Sequence, residues 1–213
     1  MSTNGFGGYA VVVPIRSLKT AKSRLRTRSD TMRSDLALAF FLDTITALER
    51  STEVERIVVI SRDAIIQAWA RGRCDIVPDG ETGLPAAIDC GIERIRRISH
   101  SGPVAVVLPD LPYATADSFD MLFDSAREHL RAFLADATGT GTTCVTAASI
   151  EAVVHRFGLN SARAHAEAGL AALDVPVFNL RSDVDVLDDL RQPHAHSPGD
   201  ATNEVLNRWR VPA

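Results

Sequence analysis

The sequence predicts an α/β protein: a mostly parallel central sheet with helices covering both of its faces. Three observations carry that expectation. Short β-branched runs alternate with helical stretches four times in the first half of the chain, which is the pattern of a parallel sheet wound by crossover helices. The runs are apolar throughout, as strands buried on both faces must be. The composition, 46% hydrophobic and 23% charged over 213 residues, belongs to a globule large enough to need no disulfide or metal staple.

Each element follows from its local pattern. Tyr9-Ala-Val-Val-Val-Pro14 is a buried strand. Asp30 is placed to cap a helix over residues 31–49, where Leu36, Leu38, Phe40, Phe41, Ile45 and Leu48 form a broad apolar face. Residues 56–61 make a second strand, followed by a short helix over 63–70. A third strand over 74–77 is stopped by Pro78-Asp79-Gly80, and 84–98 reads as a helix. Residues 103–108 are the most apolar run and so the central strand. Beyond it, 116–130 is helical, 142–146 strand-like, 161–173 helical and 175–178 a short strand. Prolines and a Ser-Pro-Gly-Asp turn within 193–200 mark a loop. We expect one domain over 1–213, with 131–175 an insertion and lid built onto the sheet and 192–213 forming a tail.

Charge narrows the function. Lys and Arg number 23 against 27 Asp and Glu, a formal net charge of −4, so the chain has no global claim on nucleic acid. Cys74, Cys90 and Cys144 form no CxxC pair and read as apolar filler. With no apolar run near membrane-spanning length and no secretory pattern at the start, a cytoplasmic protein without a membrane partner is expected.

Five segments could carry chemistry. Arg16, Lys19, Lys22, Arg24, Arg26 and Arg28 crowd the segment after the first strand, where open α/β sheets bind ligands. That segment is neither a dinucleotide fingerprint nor a P-loop, so it would hold phosphates with side chains; the alternative is a solvated surface run. In Leu108-Pro-Asp-Leu-Pro112, Asp110 follows the central strand between two prolines, suited to a hard cation such as Mg²⁺ or to a helix cap. Asp183-Val-Asp185 in an extended segment would turn both carboxylates the same way. Gly139-Thr-Gly-Thr-Thr143 lets a backbone approach a ligand, or is a flexible turn. In Phe157-Gly-Leu-Asn-Ser-Ala162, Gly158 permits close approach and Ser161 opens a helix. His155 and His165 read as satisfied or exposed histidines, His194 and His196 as loop residues, and Asp188 and Asp189 as acids favouring a helix N-terminus.

These motifs resemble the 2-phospholactate/phosphoenolpyruvate guanylyltransferases of deazaflavin coenzyme F-420 biosynthesis, relatives of the molybdenum-cofactor guanylyltransferases. The shared stretches are Ala21-Lys-Ser-Arg-Leu25, Asp110-Leu-Pro112, Ala135-Asp-Ala-Thr-Gly-Thr-Gly-Thr142, Phe157-Gly158 with Ser161 and His165, and Leu180-Arg-Ser-Asp-Val-Asp185 with Asp189-Leu190. The resemblance implies a Rossmann-like nucleotidyltransferase (GT-A-like) fold, with 131–175 on the acceptor side and residues 132–135 a strand after a helix that ends near His129. It implies that Asp110 and Asp183, with Asp185 beside them, hold Mg²⁺, and that Arg16, Lys22, Arg24 and Gly83 meet the nucleotide. Thr142, Gly158 and Ser161 would contact a phosphorylated three-carbon acid. The implied reaction transfers GMP from GTP to the phosphate of phosphoenolpyruvate or 2-phospholactate, releasing diphosphate, with Lys22, Arg24, Asp110 and Asp183 as the catalytic set. Another acceptor such as 3-phosphoglycerate, another nucleotide, or a non-catalytic nucleotide-binding domain are the alternatives. The oligomeric state, a homodimer included, stays open. This chain has Gly83-Leu84-Pro85 where the family carries Gly-Leu-Asn, Val186 in place of threonine, and no glycine-rich ending.

Overall fold

A computed structural model describes residues 7–19, 27, 29–78, 83–191 and 197–209. Seven strands form one sheet: β1 (Tyr9–Pro14), β2 (Val54–Ile60), β3 (Asp75–Val77), β4 (Val104–Val107), β5 (Arg131–Ala135), β6 (Thr142–Ala147) and β7 (Ala171–Ala172). Their order is β3-β2-β1-β4-β6-β5-β7, which puts β4 at the centre as its apolar run predicts. The β1–β2, β1–β4, β2–β3 and β5–β7 pairings are parallel, whereas β6 runs antiparallel to β4 and β5. Thus the first half is the parallel winding expected, and β6 makes the sheet mixed.

Alternation along β1 decides which helices cover which face. Val11 and Val13 point into a core with Phe41, Ile45 and Leu48 of α1 (Asp30–Arg50), Ile66 of α2 (Ala64–Ala70), and Phe119, Leu122 and Phe123 of α4 (Ala116–Ala126). Ala10 and Val12 point the other way, toward Ile88, Ile92 and Ile95 of α3 (Leu84–Arg97) and Ala162 of α5 (Ser161–Glu167). Gly91 lets α3 lie close against the sheet, since a Cβ there would run into the Val12 side chain. A third core forms where the outer side of α1 meets α7 (Asp200–Trp209): Met32, Leu36 and Phe40 pack with Tyr113, Val184, Leu190, Val205 and Leu206. Asp43 of α1 accepts from the Ala201 and Thr202 N–H groups at 3.0 and 2.9 Å, capping α7 onto α1.

Several sequence expectations need correction. The cap of α1 is Ser29, whose hydroxyl accepts from the Met32 N–H at 3.1 Å, and Asp30 is the first helical residue. The helix expected to reach residue 130 ends at Ala126, followed by turns to β5. The helix expected over 161–173 stops at Glu167, because Gly169 takes a left-handed φ of +80° and turns the chain into β7. Residues 175–178 form no strand: Pro176 has no ladder donor and the Val177 N–H turns back to the Val175 carbonyl at 2.8 Å. Phe178–Arg181 is instead a short helix, α6. Among the described residues, no helix is long and apolar enough to cross a membrane.

Candidate active site

The parallel strands β1 and β4 end on the same side, and β6 begins there, so one edge of the sheet collects the segments singled out in the sequence. Asp110 lies just past β4. The Leu108 N–H continues the ladder to the Thr143 carbonyl at 3.0 Å, and buried Leu111 anchors its N–H on the Thr44 hydroxyl at 3.2 Å. Between those two anchors the half-buried Asp110 has little freedom.

Asp183 and Asp185 arrive from α6. Val184 between them is fully buried in the third core, and alternation sends its two neighbours to the opposite side. The Val184 N–H donates to the Asp110 carbonyl at 3.2 Å, and Asp189 accepts from the Asp185 and Val186 N–H groups at 2.8 Å each. One carboxylate oxygen from each of Asp110, Asp183 and Asp185 lies within 4.8 Å of the others. Three anions that close repel one another, and an all-oxygen donor set of this size suits a hard divalent cation such as Mg²⁺.

The basic side of the edge follows β1. Arg16 is exposed, and a Cβ added at Gly83 would stand 3.7 Å from its Nη2, so these two residues meet. Gly83 holds a φ of +98° and precedes α3, with Pro85 in the first helical turn. The loop carrying Arg16 is pinned by Asp63, which accepts from the Leu18 N–H at 2.9 Å and the Ser17 hydroxyl at 3.4 Å. Lys22, Arg24, Arg26 and Arg28 lie outside the described residues, as do His194 and His196.

On the other side of Asp110 stand two loops. Asp136 organises the first by accepting from the Thr140 and Gly141 N–H groups at 3.1 and 2.9 Å. A Cβ at Gly141 would run into the Asp136 carboxylate, so a side chain there would have to displace that group from the loop. The Thr140 carbonyl accepts from the Ala162 N–H at 3.1 Å, tying this loop to the start of α5. Ser161 opens α5 and is buried, while Gly158 has a φ of +149° and faces open space. Thr142, also buried, begins β6 at a break in register: Leu134 pairs with Cys144, yet Ala135 pairs with Thr142. This bulge turns Thr142 toward α5, where its hydroxyl lies 3.0 Å from Nδ1 of His165.

The structure therefore joins Asp110, Asp183 and Asp185 in one cluster, Arg16 with Gly83, and the Thr142 strand with the Ser161 helix. Of the positioning groups, Asp63 escaped the sequence reading, while Asp136 and His165 stood in the shared stretches with no positioning role assigned. Asp136 was detectable, since an aspartate ahead of a glycine-threonine turn is an Asx-turn signal. His165 was legible only as the residue one turn after Ser161 on the inward face of a helix.

A family model described as guanylyl transferase CofC-like matches residues 9–212. A phosphoenolpyruvate guanylyltransferase 2 of Rhodococcus jostii (strain RHA1) is 37% identical over 201 residues, covering 94% of this chain and 91% of the relative. A phosphoenolpyruvate guanylyltransferase of Streptomyces scabiei (strain 87.22) is 36% identical over 213 residues, covering 96% and 98%. Among solved structures, a nucleotidyl transferase from Methanothermobacter thermautotroptrophicus superposes with a TM-score of 0.59 at 15% identity, covering 95% of this chain and 100% of that one, a likeness of fold alone. The match extends from the first strand through the C-terminal helix that braces the acidic segment, and the chain belongs to the guanylyl transferase CofC-like family.

Proposed function

We propose that this guanylyltransferase joins the guanylyl group of GTP to the phosphate of a small phosphorylated carboxylic acid, phosphoenolpyruvate first and 2-phospholactate second, as a step of coenzyme F-420 biosynthesis. The acceptor choice leans on the relatives named above, which are phosphoenolpyruvate guanylyltransferases over nearly the same length. The single observation that carries the site assignment is the meeting of Asp110, Asp183 and Asp185 at the sheet edge between a basic loop and two anion-suited loops.

In this reading Asp110, Asp183 and Asp185 hold Mg²⁺, which would supply charge neutralisation for the phosphate oxygens at the reacting centre. Arg16 and Gly83, with Lys22 and Arg24, receive the nucleotide: a guanidinium offers forked donors and a glycine leaves room beside it. Thr142, Ser161 and the open backbone at Gly158 receive the acid. The acceptor phosphate is already an anionic nucleophile, so no base is needed. Its oxygen attacks the α-phosphorus of GTP, the bond to the bridging oxygen breaks, and diphosphate leaves with the electron pair. Positioning and charge stabilisation then carry the catalysis.

The test is a product screen. Protein, Mg²⁺ and each nucleoside triphosphate are incubated with phosphoenolpyruvate, 2-phospholactate or 3-phosphoglycerate, and adducts are read by mass spectrometry. A guanosine diphosphate-linked adduct of phosphoenolpyruvate is expected. An adduct formed only with 3-phosphoglycerate would replace the acceptor, and diphosphate release with another nucleotide only would replace the donor.

A further inference from the structure

The ring of His165 is fully buried, at 0% exposure, between Phe133 and Phe157, and nothing in the reaction above uses it. Its two nitrogens have different partners. Nε2 accepts the backbone N–H of Arg156 at 2.7 Å. A backbone amide can only donate, so Nε2 must present its lone pair. In a neutral imidazole the proton then sits on Nδ1, which faces the Thr142 hydroxyl at 3.0 Å. The tautomer is thus assigned by the hydrogen-bond network.

The consequence falls on Thr142. A protonated Nδ1 can give a hydrogen bond to Oγ1 but cannot receive one. The threonine's own proton must therefore point elsewhere, and the described residues offer its hydroxyl no second partner. A threonine hydroxyl ordinarily rotates to donate or accept as its surroundings ask. Here one lone pair faces Nδ1–H, and the O–H, which cannot donate to the ring, is left to donate into the site. The bulge that turns Thr142 off the regular strand alternation supplies the geometry, and the tie between Thr140 and Ala162 keeps strand and helix in place.

We propose that His165 is a positioning residue: held as the Nδ1–H tautomer by the Arg156 amide, it sets the Thr142 hydroxyl as a fixed donor to an anionic oxygen of the phosphorylated acid. This rests on the reading that Thr142 meets the acceptor. A hydroxyl set as a donor suits a carboxylate or phosphate oxygen, to which the bond is charge-assisted, and disfavours a donor-only group such as an ammonium in that position. Burial pushes the imidazole down to about 4, with His155 and the Arg156 charge adding to the effect and a hydrogen bond to the Ser161 backbone opposing it, so the ring stays neutral at working pH.

Two measurements test it. The first needs no turnover: long-range proton–nitrogen correlation spectra of the full-length protein labelled with ¹⁵N-histidine. A bare Nε2 and a protonated Nδ1 for His165 at neutral pH are expected, with the assignment made from His165→Asn. A protonated Nε2, or an imidazolium, overturns the proposal. The second is a double-mutant cycle of Thr142→Val and His165→Phe, assayed with whichever of phosphoenolpyruvate or 2-phospholactate the wild type turns over. Thr142→Val should raise the acceptor KM or lower kcat by about tenfold or more, with the KM for GTP near its original value. Adding His165→Phe to Thr142→Val should cost little further, because the histidine acts through the hydroxyl. His165→Asn, which keeps a donor near the Nδ1 position, should recover part of the His165→Phe loss, and Thr142→Ser should recover most of the valine loss. Independent, additive losses, or a loss falling on GTP, overturn the proposal. Should neither acid be turned over by the wild type, the acceptor reading fails while the tautomer measurement still decides the state of His165. Should His165→Phe fail to fold, the Thr142→Ser and Thr142→Val pair and the spectra carry the test.

Discussion

The backbone N–H of Val184 donates to the carbonyl of Asp110 at 3.2 Å. Through this bond the loop after the central strand and the segment after α6 are laced together, with the Val184 side chain sealed into the third core. The three carboxylates are therefore held close by packing whether or not a cation is present. We expect Asp110→Asn and Asp183→Asn to fold and to melt no lower than chelated wild type, since each removes a like charge from a crowded cluster. Turnover should fall more than about a hundredfold, the scale of losing several kcal/mol of charge stabilisation. Mg²⁺ should raise the Tm of the wild type more than that of either variant. Diphosphate release and thermal melts over a Mg²⁺ series check both expectations, and near-normal turnover in folded Asp110→Asn would remove the metal assignment.

Arg16 offers a separable measurement. It is exposed beside Gly83, so cutting it to alanine should leave the fold intact. Losing one charge-assisted contact is worth about 1.5–3 kcal/mol, or roughly ten- to a hundredfold. That loss should fall on the KM for GTP or on kcat, with the acceptor KM moving less. Titrating each substrate at saturating levels of the other decides it, and an effect confined to the acceptor would move Arg16 to the other half of the site.

What was legible in the sequence follows from how local each signal is. The strands at Tyr9, Val54 and Val104 announce themselves because a buried parallel strand must be apolar on both faces. Asp110 could be nominated because an acid directly after such a run falls at the ligand edge of a sheet, whereas Asp183 was nominated on the run at 175–178, which forms no strand. Their meeting was implied by the family resemblance and not by any local pattern, since it depends on Val184 entering a core completed by α7 near the other end of the chain. Residues 175–178 were misread because Val-Pro-Val-Phe has strand composition, while Pro176 removes the donor a ladder requires. The antiparallel β6 was also hidden, because an apolar run does not carry its direction.

The glycine-threonine loop makes a sharper structural prediction. A Cβ at Gly141 would meet the Asp136 carboxylate, which is also the acceptor for two loop N–H groups. Gly141→Ala should therefore destabilise the protein by about 1–3 kcal/mol and impair acceptor use, because the loop leads directly into Thr142. Asp136→Ala should cost about 1 kcal/mol through the lost hydrogen bonds. The double variant should cost less than the sum, since removing the carboxylate also removes the obstacle. Denaturant melts of the three proteins measure the coupling, and strict additivity would mean the two residues do not oppose each other across the loop.

Acid should expose the cost of burying His165. Desolvation, reinforced by His155 and Arg156 and opposed by a hydrogen bond to the Ser161 backbone, lowers its pKa to about 4 in the folded protein. The unfolded chain would protonate this residue near the ordinary histidine value of about 6.5. Between those two values the unfolded state binds more protons, so stability falls as pH drops through the window and levels off below it. The full effect is on the order of 3 kcal/mol at most, and local relaxation around the ring would reduce it. Other groups also change charge in acid, Asp43 among them, whose burial raises its pKa above the ordinary carboxylate value. The measurement is therefore a difference: melts of wild type and His165→Phe, or His165→Asn where phenylalanine does not fold, taken from neutral pH down through the histidine range. Wild type should lose stability faster than the variant over that interval, and the two curves should run parallel above it. Parallel curves throughout would mean that the ring is protonated as readily in the fold as in the open chain, and the Arg156 amide would then need another acceptor.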